Sequence, residues 1–517
     1  MEIKTITPDE IYGTRERFYR NLPNRGITQN YKLFRKEIYQ SEFLSELDPN
    51  GHKINDPTYY EDIKKEMPIL DSNNEPTGKK KIVEVPIERV SVPLQKVILQ
   101  KHLTHLCGEE IKFIHHNLNP STTEAQTYIK FKQGWKKRNM ETAKFEFCQS
   151  IKATGDGAFC AYMNDRQFNY RVFSYMKGDS LHPIRDSKGN LRLFGRGFSA
   201  YDYARKEEVP YMEVWDDTYC TLLTYSTDNK NGKSIAWDSK TFQPILSDVP
   251  DTDGWVVVEE PKKHGFRKIP IVYLKCEEGA CWSAVQDLID KLELALSQLF
   301  ENNKAYAFRI MVVKGDVEIQ GDLKGQARAM LFNNDEGDAH FMEKADASSS
   351  FELQLQETLK YILMGSFTVL PPDTPQGDLP SVTIKIMYSP AIEQGLNDKN
   401  FYNKSIDNII SLFKEGYALE KDNSVSDFEK LDIRGDISIY VHQNDSEIIN
   451  NLVMGVTSGF TSIETAQERS IYSAEDEPNR LQKQKEQEIQ DERDAITSQQ
   501  ANNGMNEKNV QRQIVAK

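Results

Sequence analysis

The chain has 517 residues, 38% of them hydrophobic and 28% charged, enough for about three domains with a sizeable buried core and too apolar for a disordered chain. Its formal net charge of −14 is the opposite of what many phosphate contacts require, which argues against a tight nucleic-acid binder. The six cysteines form no C-x-x-C pair, no apolar run approaches bilayer length, and the opening MEIKTITPDE lacks an apolar leader core, so a thiol-reduced protein of cytosolic origin with no membrane contact is expected.

Taken in order, residues 1–100 mix loop-like GHKINDPTYYEDIKKEMP with a turn cluster and short β-type runs in DSNNEPTGKKKIVEVPIERVSVP. One helix is predicted over 90–110. A second is predicted over 122–154, with Tyr128, Phe131, Trp135, Phe145 and Ile151 making its apolar contacts. From Ala158 to Val258 short strands alternate with turn chemistry at Asn164-Asp165, Asp186 to Asn190, Asp216-Asp217, Asn229 to Gly232 and Asp251 to Gly254. That spacing predicts antiparallel β structure. In WSAVQDLIDKLELALSQLFENNK, Val285, Leu288, Leu292, Leu296 and Leu299 recur at helical spacing and define one apolar face. FELQLQETLKYILMGSF repeats the pattern with Phe351, Leu355, Leu359, Ile362 and Leu363. Packed antiparallel, the two helices would hold the intervening 305–350, with its β-type runs RIMVVKGD, ARAMLF and HFMEK, at the end of a stalk. Pro371, Pro372, Pro375 and Pro380 then stop the helix and stiffen a loop that presents Asp373, Thr374, Gln376, Gly377 and Asp378. SVTIKIMYSPAIEQGLNDKNFYNKSIDNIISLFKEGYALE reads as a long helix bent at Pro390, with Ile406, Ile409, Ile410 and Phe413 as its buried stripe. LDIRGDISIYVHQND reads as a returning strand. Two helices parted by Gly459 follow, the second opened by Thr461 and Glu464 at capping-box spacing. Beyond Asn479 a polar helix fades into a Gln/Asn-rich tail expected to fray.

The helix, β insert, helix and proline-rich loop resemble the stem, clip and tunnel loop of tailed-phage portal proteins. The resemblance rests on a run from His264 and Phe266 through Pro270, Asp287, Leu288, Asp290 and Ser297 to Lys314-Gly315, and on the strand, Asn-Asp, helix, Ser-x-Glu-Thr order of 436–478. It implies an α+β portal fold: a β-rich wing over 1–275, stem helices over 276–304 and 351–366, a clip over 305–350 and a tunnel loop over 367–383. The wing would resume over 384–445 with the long helix and returning strand, followed by a helical crown over 446–497 and a flexible polar tail over 498–517. The implied function is a ring of identical subunits, twelve expected, at one capsid vertex, passing double-stranded DNA during packaging and ejection. Implied partners are further copies of the chain, the major capsid protein, the terminase large subunit and a head-to-tail connector or adaptor, with DNA held without sequence preference. An acidic wall repels phosphates, which suits a conduit through which DNA slides. The resemblance assigns the DNA-facing loop to Pro371, Pro372, Asp373, Thr374, Pro375, Gln376, Gly377 and Asp378. Clip contacts between subunits are assigned to Ile310, Val312 and Phe332. Family members commonly carry a Gly/Ser-rich entry to the long helix, where this chain has Gly377-Asp378-Leu379-Pro380-Ser381.

No catalytic motif competes with this, and neither enzymatic activity nor a cofactor is expected. Asn231-Gly232-Lys233-Ser234 looks like the end of a phosphate loop, but Thr227 stands where the leading glycine belongs, so a hairpin turn is favoured. Gly195 to Ala200 fits G-x-G-x-x-A, yet Pro210 soon breaks any helix, favouring a strand-to-strand connection. His102, His105, His115 and His116 are the basis of one rival reading, a metal-dependent enzyme, but no supporting carboxylate set is apparent. The other rival is a different virion connector or scaffold protein. Lys79 to Lys81 and Lys136 to Arg138 read as solvated basic faces.

Overall fold

The computed structural model describes residues 4–13, 63–70, 76–85, 92–117, 121–202, 206–225, 232–248, 254–276, 278–306, 311–314, 317–320, 329–332, 338–341, 348–370, 381–420, 428, 431–441 and 445–463, with scattered positions up to 493. The chain divides into two units, Met1–Leu370 with Pro390–Tyr440, and Pro371–Ser389 with Val441–Lys517. The described residues mix helices with antiparallel sheets, an α+β fold.

The larger unit opens with β1 (Thr5–Ile6) and α1 (Pro8–Gly13), then a hairpin of β2 (Ile63–Leu70) and β3 (Pro76–Val85). Helix α2 (Leu94–Cys107) follows, buried along Ile98, Leu99, His102, Leu103 and Leu106, and leads to β4 (Lys112–His115). The single helix expected over 122–154 is two, α3 (Thr122–Lys137) and α4 (Met140–Thr154). The break falls at Asn139, whose left-handed φ of 50° no α-helix continues through. Ser121 caps α3 by accepting the Glu124 N–H, an N-cap bond worth about 1 kcal/mol. Phe131, Trp135 and Ile151 are buried as expected, while Phe145 is exposed. Gly155 closes α4 at φ 87°, a left-handed C-cap that favours glycine.

Strands β5 (Asp156–Asn164) and β6 (Gln167–Phe173) form a three-stranded sheet with β14 (Ile271–Lys275), in the order β14-β5-β6. Between β6 and β14 run β7 (Ser180–Arg185), β8 (Leu191–Asp202), β9 (Glu207–Trp215), β10 (Tyr219–Tyr225), β11 (Ser234–Asp238), β12 (Pro244–Ser247) and β13 (Trp255–Lys263). Five of these make a meander in the order β13-β10-β9-β8-β7, and β11 joins β1 to β12 in a small sheet. Gly195 to Ala200 lies inside β8, so the loose dinucleotide pattern falls within a strand instead of the expected connection. A second, smaller core of Ile11, Leu193, Met212, Val214, Leu223, Ile235, Trp237 and Trp255 fills the space beside the meander.

The main core binds α2, α3, α4, β5, β6 and β14 to α5 (Gln286–Tyr306), α6 (Ser348–Gly365) and the long helix. The expected bend at Pro390 is a break: α7 (Ser381–Met387) ends before Tyr388 and α8 (Ser389–Glu420) starts anew. Pro390 sits in the first turn of α8, where its missing N–H removes no helical hydrogen bond. Ile406, Ile409, Ile410 and Phe413 are all buried. The returning strand, β19 (Ile433–Asp436), pairs antiparallel with β4 as a separate two-stranded sheet. In the smaller unit, α9 (Asp445–Thr457) ends at Gly459, φ 74°, with the Phe460 and Thr461 amides both turned back to the Gly455 carbonyl.

Candidate functional site

The two helices expected to form a stem are α5 and α6, and they pack against each other. Gly365 at the end of α6 lies so close to Val285, just before α5, that an added Cβ would sit 2.9 Å from its Cγ1. That contact between one helix's end and the other's beginning is the mark of an antiparallel pair. Val285, in a short 3-10 turn, and Leu292 and Ile362 are buried; Leu288, Leu296, Leu355 and Leu359 are half-buried against the same core, and Leu299 is half-buried. The fully buried Ile289 was missed by the sequence pattern, which followed the leucines one position round the helix. The start of α5 is also held by polar contacts to the segment opening α2. Glu293 Oε1 accepts the Val92 N–H at 3.1 Å and Gln286 Oε1 accepts Gln95 Nε2 at 3.4 Å. Phe300, Leu353, Tyr361 and Met364, on the outer faces of the pair, are each at least 50% exposed.

Between α5 and α6, the segment expected to form a clip holds, among its described residues, a nested pair of antiparallel ladders. The outer ladder joins β15 (Met311–Lys314) to β18 (Asp338–Phe341), and the inner one joins β16 (Val317–Gln320) to β17 (Ala329–Phe332). Of the β-type runs, RIMVVKGD thus pairs with HFMEK and ARAMLF with 317–320 within the chain. Val312 stands opposite His340 and Phe332 opposite Val317 in these registers, while Ile310 lies outside the described residues. So do Pro371, Pro372, Asp373, Thr374, Pro375, Gln376, Gly377 and Asp378, the whole predicted DNA-facing stretch.

Where the chain leaves α6, the helix has a specific ending. The Phe367 amide bonds the Met364 carbonyl and the Thr368 amide bonds the Leu363 carbonyl, a Schellman ending with Phe367 at φ 53° in the position glycine usually takes. The Ser366 carbonyl is left without a helical partner. His102 supplies one: its Nε2–H donates at 2.7 Å. The neighbouring His105 donates from Nδ1 to the Tyr440 carbonyl at 2.9 Å, and the Tyr440 amide returns a 2.9 Å bond to the His105 carbonyl. His115 Nδ1 bonds the Asn117 carbonyl at 2.9 Å and its Nε2 meets Glu124 at 3.2 Å, while His116 is exposed. The histidines that suggested a metal are therefore spread over backbone carbonyls and one carboxylate. Among the described residues no group of three or more His, Cys, Asp or Glu is placed to hold a metal ion.

Behind His102 sits a buried ion pair that sequence reasoning missed, Lys152 Nζ to Asp398 Oδ1 at 2.6 Å, with Gln394 Nε2 donating to the same oxygen at 3.1 Å. Its only signal in sequence is a lysine beside the buried Ile151. Burial raises the Asp398 pKa against the opposing pull of Lys152. Burial first, then the Lys152 charge, lowers the His102 pKa to about 4, leaving the ring neutral near pH 7. All six cysteines are free thiols, and burial raises Cys281 to about 12, far from the depressed values of reactive thiols.

Comparison with known proteins gives the site its context. No curated protein matches the chain. Among solved structures, a chain from "Neck of empty GTA particle computed with C6 symmetry" is 11% identical, with a TM-score of 0.37 over 72% of this chain and 88% of that one. A chain from "Virion of native gene transfer agent (GTA) particle" is 11% identical, with a TM-score of 0.33 over 71% of this chain and 85% of that one. Among the described residues no helix is long and apolar enough to cross a membrane. The family profile described as "Phage portal protein, SPP1 Gp6-like" matches residues 29–493, most of the sequence: the chain belongs to the SPP1 Gp6-like family of phage portal proteins.

Proposed function

We propose that the chain acts as a non-enzymatic portal subunit, assembling as a twelve-membered ring at one vertex of a phage capsid, through which double-stranded DNA is packaged and ejected. The observation that carries this reading is the family match over residues 29–493. The antiparallel stem and nested clip support it, because they make a stalk that can be repeated side by side around an axis. The exposed Phe300, Leu353, Tyr361 and Met364 support lateral packing of such stalks: apolar side chains gathered on one helical pair are better accounted for by a neighbouring copy than by water.

In the ring, Val285, Leu288, Leu292, Leu296, Leu299, Leu355, Leu359 and Ile362 hold each stem together, and Ile310, Val312 and Phe332 contribute contacts between neighbouring clips. The loop from Pro371 to Asp378 faces DNA with weak, sequence-independent contacts. The clip docks the terminase large subunit during packaging and the head-to-tail adaptor afterwards, and the wing meets the major capsid protein. The chain is assembled in the host cytoplasm and ends in the virion. Electron microscopy of the purified chain tests the reading directly. A twelve-fold annulus with a stalk is expected; a compact monomer, with no annular form even in virus particles, refutes it. A trimer or hexamer without a channel favours the other virion connector.

A further inference from the structure

The chain crosses between its two units three times, after Leu370, before Pro390 and after Tyr440. On the side of the larger unit, all three crossings are rooted on the C-terminal half of α2. Phe367 and Val369 from the first root, Ala391, Gln394, Gly395 and Asp398 from the second, and Lys101, His102 and His105 of α2 line one cavity of about 10 Å³. The third root packs on the same place. An added Cβ at Gly108, after α2, would lie 3.1 Å from the Tyr440 Cβ, and one at Gly395 would lie 3.1 Å from the Ile439 Cγ2.

Two hydrogen bonds, from side chains one helical turn apart on α2, hold the first and third roots. His102 Nε2–H takes the Ser366 carbonyl at 2.7 Å, and His105 Nδ1–H takes the Tyr440 carbonyl at 2.9 Å. Thr368 Oγ1 also reaches the Ser366 carbonyl, at 3.3 Å. Both histidines are buried, and α2 is tied to α5 through Val92 and Gln95 and faces the Lys152–Asp398 pair. Two donors one turn apart on a single helix relate the positions of the two carbonyls they bind.

We propose that His102 and His105 form a two-carbonyl clamp through which α2 couples the root of the proline-rich loop to the root of the C-terminal segment, so that displacing one displaces the other. In a portal, this links the point where the loop begins, after Leu370, to the point where the C-terminal segment begins, after Tyr440. That consequence rests on the portal reading; the coupling itself does not. Both histidines are positioning residues, and coupling of this kind is reciprocal: loosening either root must loosen the other.

The test is residue-resolved amide exchange on the full chain, in the assembly it natively forms. The variants are His102→Phe, which keeps the volume and loses the donor, His102→Gln, which keeps a donor, and His105→Phe. The amides read are Thr368, bonded to the Leu363 carbonyl, and Tyr440, bonded to the His105 carbonyl, with Ala161, bonded to the Pro270 carbonyl, as a distant control. His102→Phe is expected to speed exchange at Thr368 and at Tyr440 at least about tenfold, an opening free energy lower by about 1.4 kcal/mol. Ala161 stays unchanged, and His102→Gln restores most of the protection. His105→Phe, which leaves the first root untouched, is expected to speed Thr368. A change confined to the root whose own histidine was replaced overturns the coupling. So does a rise of the same size at Ala161, which would mean general loosening, or a His102→Gln variant no better protected than His102→Phe. If His102→Phe does not fold, His105→Phe alone decides by its effect at Thr368. None of these readouts depends on ring formation, so they separate failure of the clamp from failure of the portal reading.

Discussion

His102 carries a pH signature. Its folded pKa is lowered to about 4 from 6.5, by burial first and the Lys152 charge next. The unfolded chain therefore takes up a proton as pH falls through the upper value, and the folded chain does so only at the lower one. Stability from this residue is fully present above about pH 6.5, declines across the window and levels off below about pH 4, a loss of up to about 3 kcal/mol. Asp398 opposes it just above its ordinary carboxylate range, because burial raises its folded pKa. Urea midpoints between about pH 7 and about pH 5 are expected to fall for the parent and to fall less for His102→Gln; parallel slopes would remove His102 as the cause. The buried ion pair makes a second prediction. Lys152→Met leaves Asp398 with Gln394 but no cation, at a cost of about 3–5 kcal/mol, and a second change, Asp398→Leu, recovers most of it. A thermodynamic cycle over the two single variants and the double variant measures this, and additive losses would show that the two groups act independently.

At the scale of elements, the pair of α5 and α6 is where packing can be weighed side chain by side chain. Ile289→Ala is expected to destabilise by about 2–4 kcal/mol because the side chain is wholly enclosed, and Leu299→Ala by about 1 kcal/mol or less because it is only half-buried. Equal losses in denaturant unfolding would mean that the leucine stripe, and not the isoleucine, marks the core side of α5. Sequence reached the existence of α5 and α6 and of the alternating strands, since spacing is written in consecutive residues. It did not reach the rotation of α5, because Leu288 and Leu296 satisfy the same periodicity as Ile289 while lying on the flank of the buried arc. The break at Asn139 escaped for a different reason. Apolar spacing from Phe131 to Ile151 runs on through it, and only a backbone angle records the stop. The roles of His102 and Lys152 were illegible because their partners, Ser366 and Asp398, lie hundreds of residues away and offer, respectively, a backbone atom and a carboxylate like many others. The Pro390 position had the right residue and the wrong consequence: proline both kinks helices and starts them, and only the carbonyls around it tell which.

For the whole molecule, the portal reading predicts a separation of assembly from transport. Removing residues 373–378 is expected to leave rings intact in electron micrographs and to impair DNA packaging or retention; normal packaging by that variant would take the loop out of the channel. A charged residue at Val312 or Phe332 is expected to shift rings toward smaller species, read by mass measurement. The clip carries a further consequence. Because the β16–β17 ladder lies within the span that the four-pair β15–β18 ladder closes, both ends of whatever lies between Lys314 and Asp338 leave from one end of one short ladder. On the portal reading such a segment is expected to behave as an interchangeable socket, tolerating changes of length between β16 and β17 without loss of rings in electron micrographs.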